Sequence, residues 1–207
     1  MKHTKNLFEA GKPLLEAKNA MIMLHGRGAS AQDILSLRQY LPLEDFYMVA
    51  PQATNHTWYP YSFMAPVEQN QPWLDSALEL VTSVAADINN AGLSSDQIFI
   101  LGFSQGACLS LEFATRHAQR WGGVIAFTGG LIGDQIHSEH YQGKFDGTPV
   151  FISNSNNDPH VPISRSEDTR RIMEEMGARV SLNIYPNRPH TILQEELELA
   201  RGILTRD

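Results

Sequence analysis

Residues 98–109 read Ile-Phe-Ile-Leu-Gly-Phe-Ser-Gln-Gly-Ala-Cys-Leu, and this stretch decides the fold. The apolar run over 98–101 is typical of a buried strand, and the residues after Ser104 open a helix. Between them stands Gly102-Phe103-Ser104-Gln105-Gly106, a G-x-S-x-G pattern on a strand-to-helix turn. Glycines two residues before and after the serine let the strand and the helix pack closely. The pattern predicts that Ser104 is a nucleophile; the alternative is an ordinary glycine-rich turn with a helix-capping serine.

The same alternation of strand and helix continues on both sides of this turn. Short apolar runs predict strands over residues 20–24, 46–50, 98–101, 123–128, 149–153 and 179–185. Stretches of helical period predict helices over residues 31–40, 72–90, 105–119, 163–176 and 191–204. Strands that are apolar at every position are typical of a sheet covered on both faces. The predicted fold class is therefore α/β, with a mostly parallel central sheet flanked by helices.

One connection, residues 51–71, is much longer than the two to six residues of an ordinary βα loop. It is rich in aromatic side chains, which are scarce in disordered linkers. We expect an ordered loop near the carboxyl ends of the strands, with Trp58, Tyr59, Pro60 and Phe63 as candidate substrate-binding residues. The alternative is that these side chains only cover the edge of the sheet.

A serine hydroxyl needs a base, and the base needs an orienting carboxylate. Asp158 follows the strand predicted over 149–153, and His190 follows the strand predicted over 179–185. Both positions lie at the carboxyl ends of strands, in the chain order serine, acid, histidine that accompanies this motif. Taken alone, Asp158 could be a turn residue and His190 an exposed loop histidine. Together with Ser104 they favour a catalytic triad. Four other histidines are less suitably placed: His117, His137, His140 and His160.

The reaction also requires backbone donors for the oxyanion of the tetrahedral intermediate. Gln105 supplies one N–H, and Arg27 in the turn Leu24-His25-Gly26-Arg27-Gly28 supplies the second. The Arg27 guanidinium is then free to meet an anionic substrate group or to form a salt bridge, and His25 braces the turn. The pair His137-x-x-His140 lacks a strong third ligand, so we expect no metal and no cofactor.

Composition limits the remaining possibilities. The chain has 207 residues, which suits a single domain over 1–207. The net charge is −7 and no basic run occurs, which disfavours a nucleic-acid partner. No apolar run is long enough to span a bilayer, so we expect a cytoplasmic protein without stable membrane association. A single cysteine, Cys108, excludes an internal disulfide and is expected to pack in the core.

Four motifs together resemble the phospholipase/carboxylesterase family of α/β-hydrolases, its bacterial carboxylesterase and acyl-protein thioesterase branch. They are the Arg27 turn, the Ser104 pentapeptide, Asp158-Pro159-His160-Val161-Pro162 and Pro189-His190-Thr191-Ile192. The resemblance implies an α/β-hydrolase fold without a large cap domain, a Ser104–Asp158–His190 triad, oxyanion donors at Arg27 and Gln105, and a pocket lined by the loop at 58–60.

The chain departs from the family pattern at several loop positions. Ala29 follows the Arg27 turn, Asn154 and Asn156 stand in the acid loop, and Asn187 precedes Arg188 where glycines are common. Asparagine tolerates left-handed backbone, so the loop shapes can be kept. We expect a carboxylesterase acting on small-molecule esters. The alternatives are a lysophospholipase, an acyl thioesterase or a non-catalytic small-molecule binder. Apolar surface at the aromatic loop could also serve a homodimer.

Overall fold

The computed structural model describes residues 2–205, whose strands form one seven-stranded sheet. In chain order they are β1 (Leu7–Gly11), β2 (Asn19–Leu24), β3 (Phe46–Pro51), β4 (Ile98–Phe103), β5 (Gly123–Phe127), β6 (Pro149–Ser155) and β7 (Arg179–Tyr185). Their order across the sheet is β1-β3-β2-β4-β5-β6-β7. Only β1 runs antiparallel to its neighbour. The predicted mostly parallel α/β sheet is therefore confirmed.

Five α-helices occur within the described residues: α1 (Ala31–Leu35), α2 (Trp73–Asn90), α3 (Gln105–Arg116), α4 (Ile163–Glu175) and α5 (Gln194–Leu204). Each matches a helix that the sequence predicts, but α1 is only half as long as expected. It begins at a capping box in which Ser30 and Asp33 exchange side-chain and backbone hydrogen bonds. After Leu35 the chain tightens into a 3₁₀ helix, Ser36–Tyr40, in which no residue is fully buried.

The helices cover both faces of the sheet and create two apolar cores. Side chains along β2 alternate between them, with Ala20, Ile22 and Leu24 on the face of α2, α3 and α4. Met21 and Met23 point to the opposite face, where α1 and α5 pack. Burial on both faces explains why β2 is apolar at successive positions rather than at every second one.

Strand β1 is the element that the sequence analysis missed. It lies at the sheet edge, and its side chains are exposed or only half-buried. A strand covered on so little of its surface needs no apolar run, and Glu9 and Gly11 interrupt the pattern. Its identity as a strand depends on pairing with β3, from Leu7 opposite Pro51 to Gly11 opposite Tyr47.

The connection between β5 and β6 also lacks an α-helix within the described chain. Buried side chains hold it instead. Glu112 on α3 accepts hydrogen bonds from the Ile132 N–H at 3.0 Å and the Tyr141 hydroxyl at 3.1 Å. Arg165 on α4 donates to the carbonyls of Leu131 and Gly133 at 2.9 and 2.7 Å. These contacts fix a long irregular segment beside the carboxyl ends of the strands.

The carboxyl ends of β2, β4, β6 and β7 meet at one edge of the sheet, where open α/β sheets form their ligand crevice. The connection after β3 lies ordered over this edge and includes two short 3₁₀ turns, Thr54–His56 and Val67–Asn70. No large cap covers the crevice within residues 2–205. Over the same range, none of the helices is long and apolar enough to cross a membrane.

Candidate active site

Ser104 lies on the sharp turn between β4 and α3. Its backbone has φ 55° and ψ −120°, a left-handed conformation that costs energy for any residue with a Cβ. The N–H of Ser104 donates to the Phe127 carbonyl at 2.9 Å, which ties the turn to β5. A Cβ at Gly102 would collide with the Gly106 carbonyl, and a Cβ at Gly106 would collide with the Leu24 carbonyl. Both glycines are therefore required by close packing, as the pentapeptide predicts.

The structure brings Ser104, His190 and Asp158 together in one hydrogen-bonded row. His190 Nε2 lies 2.8 Å from Ser104 Oγ, and His190 Nδ1 lies 2.7 Å from Asp158 Oδ2. A carboxylate only accepts hydrogen bonds, so the ring proton belongs on Nδ1 and donates to Asp158. Nε2 then carries the lone pair that accepts from the Ser104 hydroxyl. The neutral imidazole is thus held in the tautomer that can take a proton from serine.

The Asp158 side chain is fully buried, and both of its carboxylate oxygens accept hydrogen bonds. Oδ1 accepts from the backbone N–H groups of His160 and Val161 at 2.9 and 3.0 Å. Burial acts to raise the pKa of Asp158, but the hydrogen bonds from His190, His160 and Val161 outweigh it and hold the pKa below its usual range. The group is an anion at neutral pH and can stabilise a protonated His190.

Asparagine side chains shape the loops that carry Asp158 and His190. The buried Asn154 Nδ2 donates to the Val161 carbonyl at 3.0 Å, which closes the acid loop on itself. Asn156 Oδ1 accepts from the Asn187 N–H at 2.8 Å, which joins the acid loop to the histidine loop. Asn187 has φ 53°, a conformation that asparagine tolerates and glycine would also permit. The departures from the glycine pattern therefore carry contacts of their own.

Arg188 is a supporting residue that the sequence analysis did not identify. Its side chain is buried under the histidine loop, where Nη2 donates to Thr128 Oγ1 at 2.7 Å and Nη1 donates to the Thr191 carbonyl. Its Nε lies 3.8 Å from Oε2 of Glu196, and both side chains are at most 1% exposed. Glu196 Oε2 also accepts from the Leu193 N–H at 2.6 Å. This buried pair fixes the backbone on both sides of His190.

The backbone N–H groups of Arg27 and Gln105 both belong to residues that line the cavity beside Ser104. Gln105 is the first residue of α3, so its N–H has no acceptor inside the helix. Arg27 lies in the turn after β2. Within residues 2–205, neither N–H donates to a protein acceptor. Two donors are thus available next to the serine.

The Arg27 side chain does not form the salt bridge that the sequence left open, since no carboxylate of the described residues pairs with it. Its guanidinium instead donates to neutral oxygens of the aromatic loop. Nη1 lies 2.9 Å from the Pro60 carbonyl and 3.0 Å from Thr57 Oγ1, and Nη2 lies 2.7 Å from the Tyr61 carbonyl. Arg27 therefore fastens the 57–61 segment to the turn that carries its own N–H.

A cavity of about 540 Å³ opens beside Ser104. Tyr59, Pro60 and Phe63 line it, as the sequence predicts for substrate-binding residues. Trp58 does not belong to its lining: the side chain is fully buried, and its Nε1 donates to the His25 carbonyl at 2.9 Å. Trp58 turns inward whereas Tyr59 lines the cavity, and no periodic pattern in a loop indicates these directions. Trp58 therefore packs behind the residues that line the cavity.

His25 braces both loops in the way the sequence suggests. It is fully buried, with Nδ1 donating to the Gly26 carbonyl at 2.7 Å and Nε2 accepting from the Ala53 N–H at 3.1 Å. Its ring packs 5.0 Å from the ring of Trp58. Burial lowers the pKa of His25, so the ring stays neutral and can accept at Nε2.

The other candidate groups do not join the Ser104 row. Cys108 lies on α3, and burial raises the pKa of its thiol to about 12, so it remains protonated. His160 touches the cavity, and its ring packs edge-on against His190 at 5.0 Å. His137 stacks on His140 and pairs with Glu139 at 3.0 Å. Among the described residues no group of three ligating side chains could hold a metal ion.

Comparisons with known proteins identify the family of the chain. A profile described as Phospholipase/Carboxylesterase matches residues 6–205. The acyl-protein thioesterase 1 of Saccharomyces cerevisiae is 26% identical, with 88% of this chain and 89% of the yeast protein covered. A probable carboxylesterase of Oryza sativa subsp. japonica is 25% identical, with 87% and 74% covered.

A crystal structure of a phospholipase/carboxylesterase from Dyadobacter fermentans is similar over nearly its whole length. The two chains share 54% sequence identity, and their structures align with a TM-score of 0.98 over 99% of each chain. The family profile likewise extends over almost every residue described here. The chain therefore belongs to the phospholipase/carboxylesterase family and is a serine hydrolase that acts on esters.

Proposed function

We propose that the chain is a carboxylesterase that cleaves small carboxylic esters through an acyl-enzyme on Ser104. The observation that carries this proposal is the continuous row Ser104 Oγ, His190 and Asp158, with both contacts between 2.7 and 2.8 Å. Such a row supplies a nucleophile, a base and an orienting carboxylate. The available N–H groups of Arg27 and Gln105 supply the oxyanion site.

The proposed reaction has two halves. Ser104 Oγ attacks the ester carbonyl carbon while its proton passes to His190 Nε2, and the carbonyl oxygen becomes an oxyanion held by the two N–H groups. Collapse of this intermediate breaks the carbonyl–alkoxide bond, and His190 gives its proton to the leaving alcohol. Water then attacks the acyl-enzyme, with His190 taking one water proton. The second collapse releases the carboxylic acid and returns that proton to Ser104.

The cavity supports a small substrate. Its volume of about 540 Å³ is in the lower half of the range for small-molecule sites, roughly 300–1,000 Å³. Its walls combine the apolar side chains of Phe63, Phe103 and Val161 with polar residues, among them Ser62 and His160. An open site without a cap, walled by the 51–71 loop, suits esters with short acyl and alcohol parts.

Other substrates on the same residues remain alternatives. The similarity to the yeast acyl-protein thioesterase favours a thioesterase as the second candidate, because the same acyl-enzyme route cleaves a thioester. A lysophospholipase would use the same groups on a longer acyl chain. A non-catalytic binder would keep the cavity but hydrolyse nothing. The cytoplasmic location and the homodimer remain predictions from the sequence.

The proposal is tested by hydrolysis of p-nitrophenyl esters of two to sixteen carbons, with S104A as the matched control. We expect the largest kcat/KM at two to about six carbons and no turnover above background in S104A. An optimum at long chains would replace the small-ester assignment with a lipid one. A folded wild type that hydrolyses no ester and no thioester would contradict the enzymatic assignment altogether.

A further inference from the structure

Both residues proposed as oxyanion donors direct their side chains into the same loop segment. The Gln105 carboxamide accepts from the Trp58 N–H at 2.9 Å through Oε1 and donates to the Tyr59 carbonyl at 2.9 Å through Nε2. Arg27 donates to the Pro60 and Tyr61 carbonyls, as described above. The segment is thereby tied to two different turns, one after β2 and one before α3.

Thr57 connects these two sets of contacts directly. Its hydroxyl oxygen accepts from Arg27 Nη1 at 3.0 Å. The same oxygen lies 3.2 Å from Gln105 Oε1 and 3.0 Å from the Tyr59 carbonyl oxygen, and its one proton is shared between these two acceptors. A single hydroxyl therefore bridges the side chains of Arg27 and Gln105. Thr57 itself does not line the cavity, so its hydroxyl has no direct route to a substrate.

We propose that Thr57 is a positioning residue for the oxyanion site, and this inference rests on the proposed function. Its hydroxyl fixes the relative placement of the two turns whose backbone N–H groups, at Arg27 and Gln105, receive the oxyanion. No sequence pattern indicates a role for Thr57, because the notable residues of this loop are its aromatic neighbours Trp58 and Tyr59.

The physical reason is that oxyanion donors act by being in place before the charge develops. The two N–H groups come from segments far apart in the sequence, and no hydrogen bond among the described residues joins Arg27 directly to Gln105. The pairing of β2 with β4 and the close packing of Gly106 against the Leu24 carbonyl set the overall separation of the two turns. The Thr57 hydroxyl adds the contact that links the two side chains and so fixes the fine placement of the turns that carry them. Loss of the hydroxyl leaves Gln105 bonded to Trp58 and Tyr59 and leaves Arg27 bonded to Pro60 and Tyr61, but removes the contact that joins the two sets. The fine placement of the two donors loosens, which weakens hydrogen bonds to the transition state more than contacts to the bound ester.

The test compares T57V, T57S and T54V. Valine keeps the shape of Thr57 and removes the hydroxyl, whereas serine keeps the hydroxyl. Thr54 is the matched control, since its buried Oγ1 has no hydrogen-bond partner within residues 2–205 and lies on the same loop. The assays are kcat and KM on p-nitrophenyl butyrate, the inhibition constant of butylboronic acid, whose tetrahedral serine adduct places an oxygen in the oxyanion site, and Tm.

We expect T57V to lower kcat roughly tenfold, less than the 100-fold or more that loss of a whole donor costs. KM should change less than twofold, and boronate affinity should fall by about the same factor as kcat. T57S should restore both, and T54V should behave as wild type. If T57V does not fold, T57A removes the same hydroxyl with less bulk.

Two results would overturn the inference: a wild-type kcat in T57V, or a T57S variant as slow as T57V. A T57V variant that loses only Tm would assign Thr57 a purely structural role and would also overturn it. These outcomes are distinct from failure of the proposed function, which would show as an inactive wild type or a fully active S104A.

Discussion

Replacing Asp158 by asparagine reverses the direction of one hydrogen bond at the centre of the site. Asp158 Oδ1 accepts from the N–H groups of His160 and Val161, and Oδ2 accepts from His190 Nδ1 at 2.7 Å. In D158N the amide oxygen keeps the two backbone bonds, so the amide nitrogen faces His190. An amide nitrogen only donates, which forces the lone pair of His190 onto Nδ1 and its proton onto Nε2. A protonated Nε2 cannot take the proton of Ser104.

The size of the effect follows from this tautomer change. The same Asp-to-Asn substitution in a serine protease triad lowers kcat by about 10⁴-fold, which corresponds to about 5.4 kcal/mol of transition-state stabilisation. KM should change little, because Asp158 does not line the cavity. Stability should also change little, since asparagine has nearly the same shape and keeps the two backbone hydrogen bonds.

The assay is steady-state hydrolysis of p-nitrophenyl butyrate at pH 8, with Tm measured in parallel. The matched control is D168N, which makes the same chemical change at an exposed aspartate on α4 that pairs with Arg171. We expect D168N to retain wild-type kcat. A folded D158N variant with kcat within tenfold of wild type would refute the role of Asp158 as the orienting carboxylate.

Three further predictions concern the support of the site. R188M leaves the buried Glu196 carboxylate without its cation. Breaking such a pair costs about 3–5 kcal/mol of stability, which should lower Tm by roughly 6–20 °C for a chain of this size. A Tm within 2 °C of wild type would contradict this stabilising role of the pair. In N187A, alanine lacks the short polar side chain that lets asparagine tolerate φ 53°, so the free energy of urea unfolding should fall by about 1–2 kcal/mol. N187G should add no backbone strain, and equal losses in the two variants would contradict the strain argument. Burial lowers the pKa of His25, and likewise the pKa of His3 and of His117, below the unfolded value of about 6.5, so the unfolded chain binds more protons at these groups as pH falls below that value. Tm should therefore fall as pH drops below about 6.5, and a Tm that rises on acidification would be the opposite sign.

The parts of the molecule that the sequence predicts well are those with a periodic or local signal. The strands β2 to β5 are apolar at nearly all successive positions because both of their faces are covered, and that pattern is visible without coordinates. The edge strand β7 instead alternates apolar and polar residues, which is also a strand pattern. The Ser104 turn is similarly local, since its glycines are required by contacts within a few residues and with the adjacent strand. Asp158 and His190 could be selected because strand ends of a parallel sheet converge.

The parts that it misses depend on contacts between distant segments. Strand β1 is defined by pairing with β3 at the sheet edge and carries no apolar run of its own. Thr57 acquires its importance from Arg27 and Gln105, which lie 30 and 48 residues away. Arg188 donates to Thr128, 60 residues away. Side-chain direction in irregular loops follows no period, so these roles become visible only in three dimensions.

The most direct test of the account is covalent labelling of the nucleophile. A fluorophosphonate probe reacts with a serine hydroxyl that has a base beside it and an oxyanion site in front of it. Peptide mapping by mass spectrometry after labelling should find the adduct on Ser104 in the wild type, with labelling lost in S104A and strongly slowed in H190A. A folded wild type that takes up no probe, or an adduct on another residue, would contradict the assignment of Ser104 as the nucleophile.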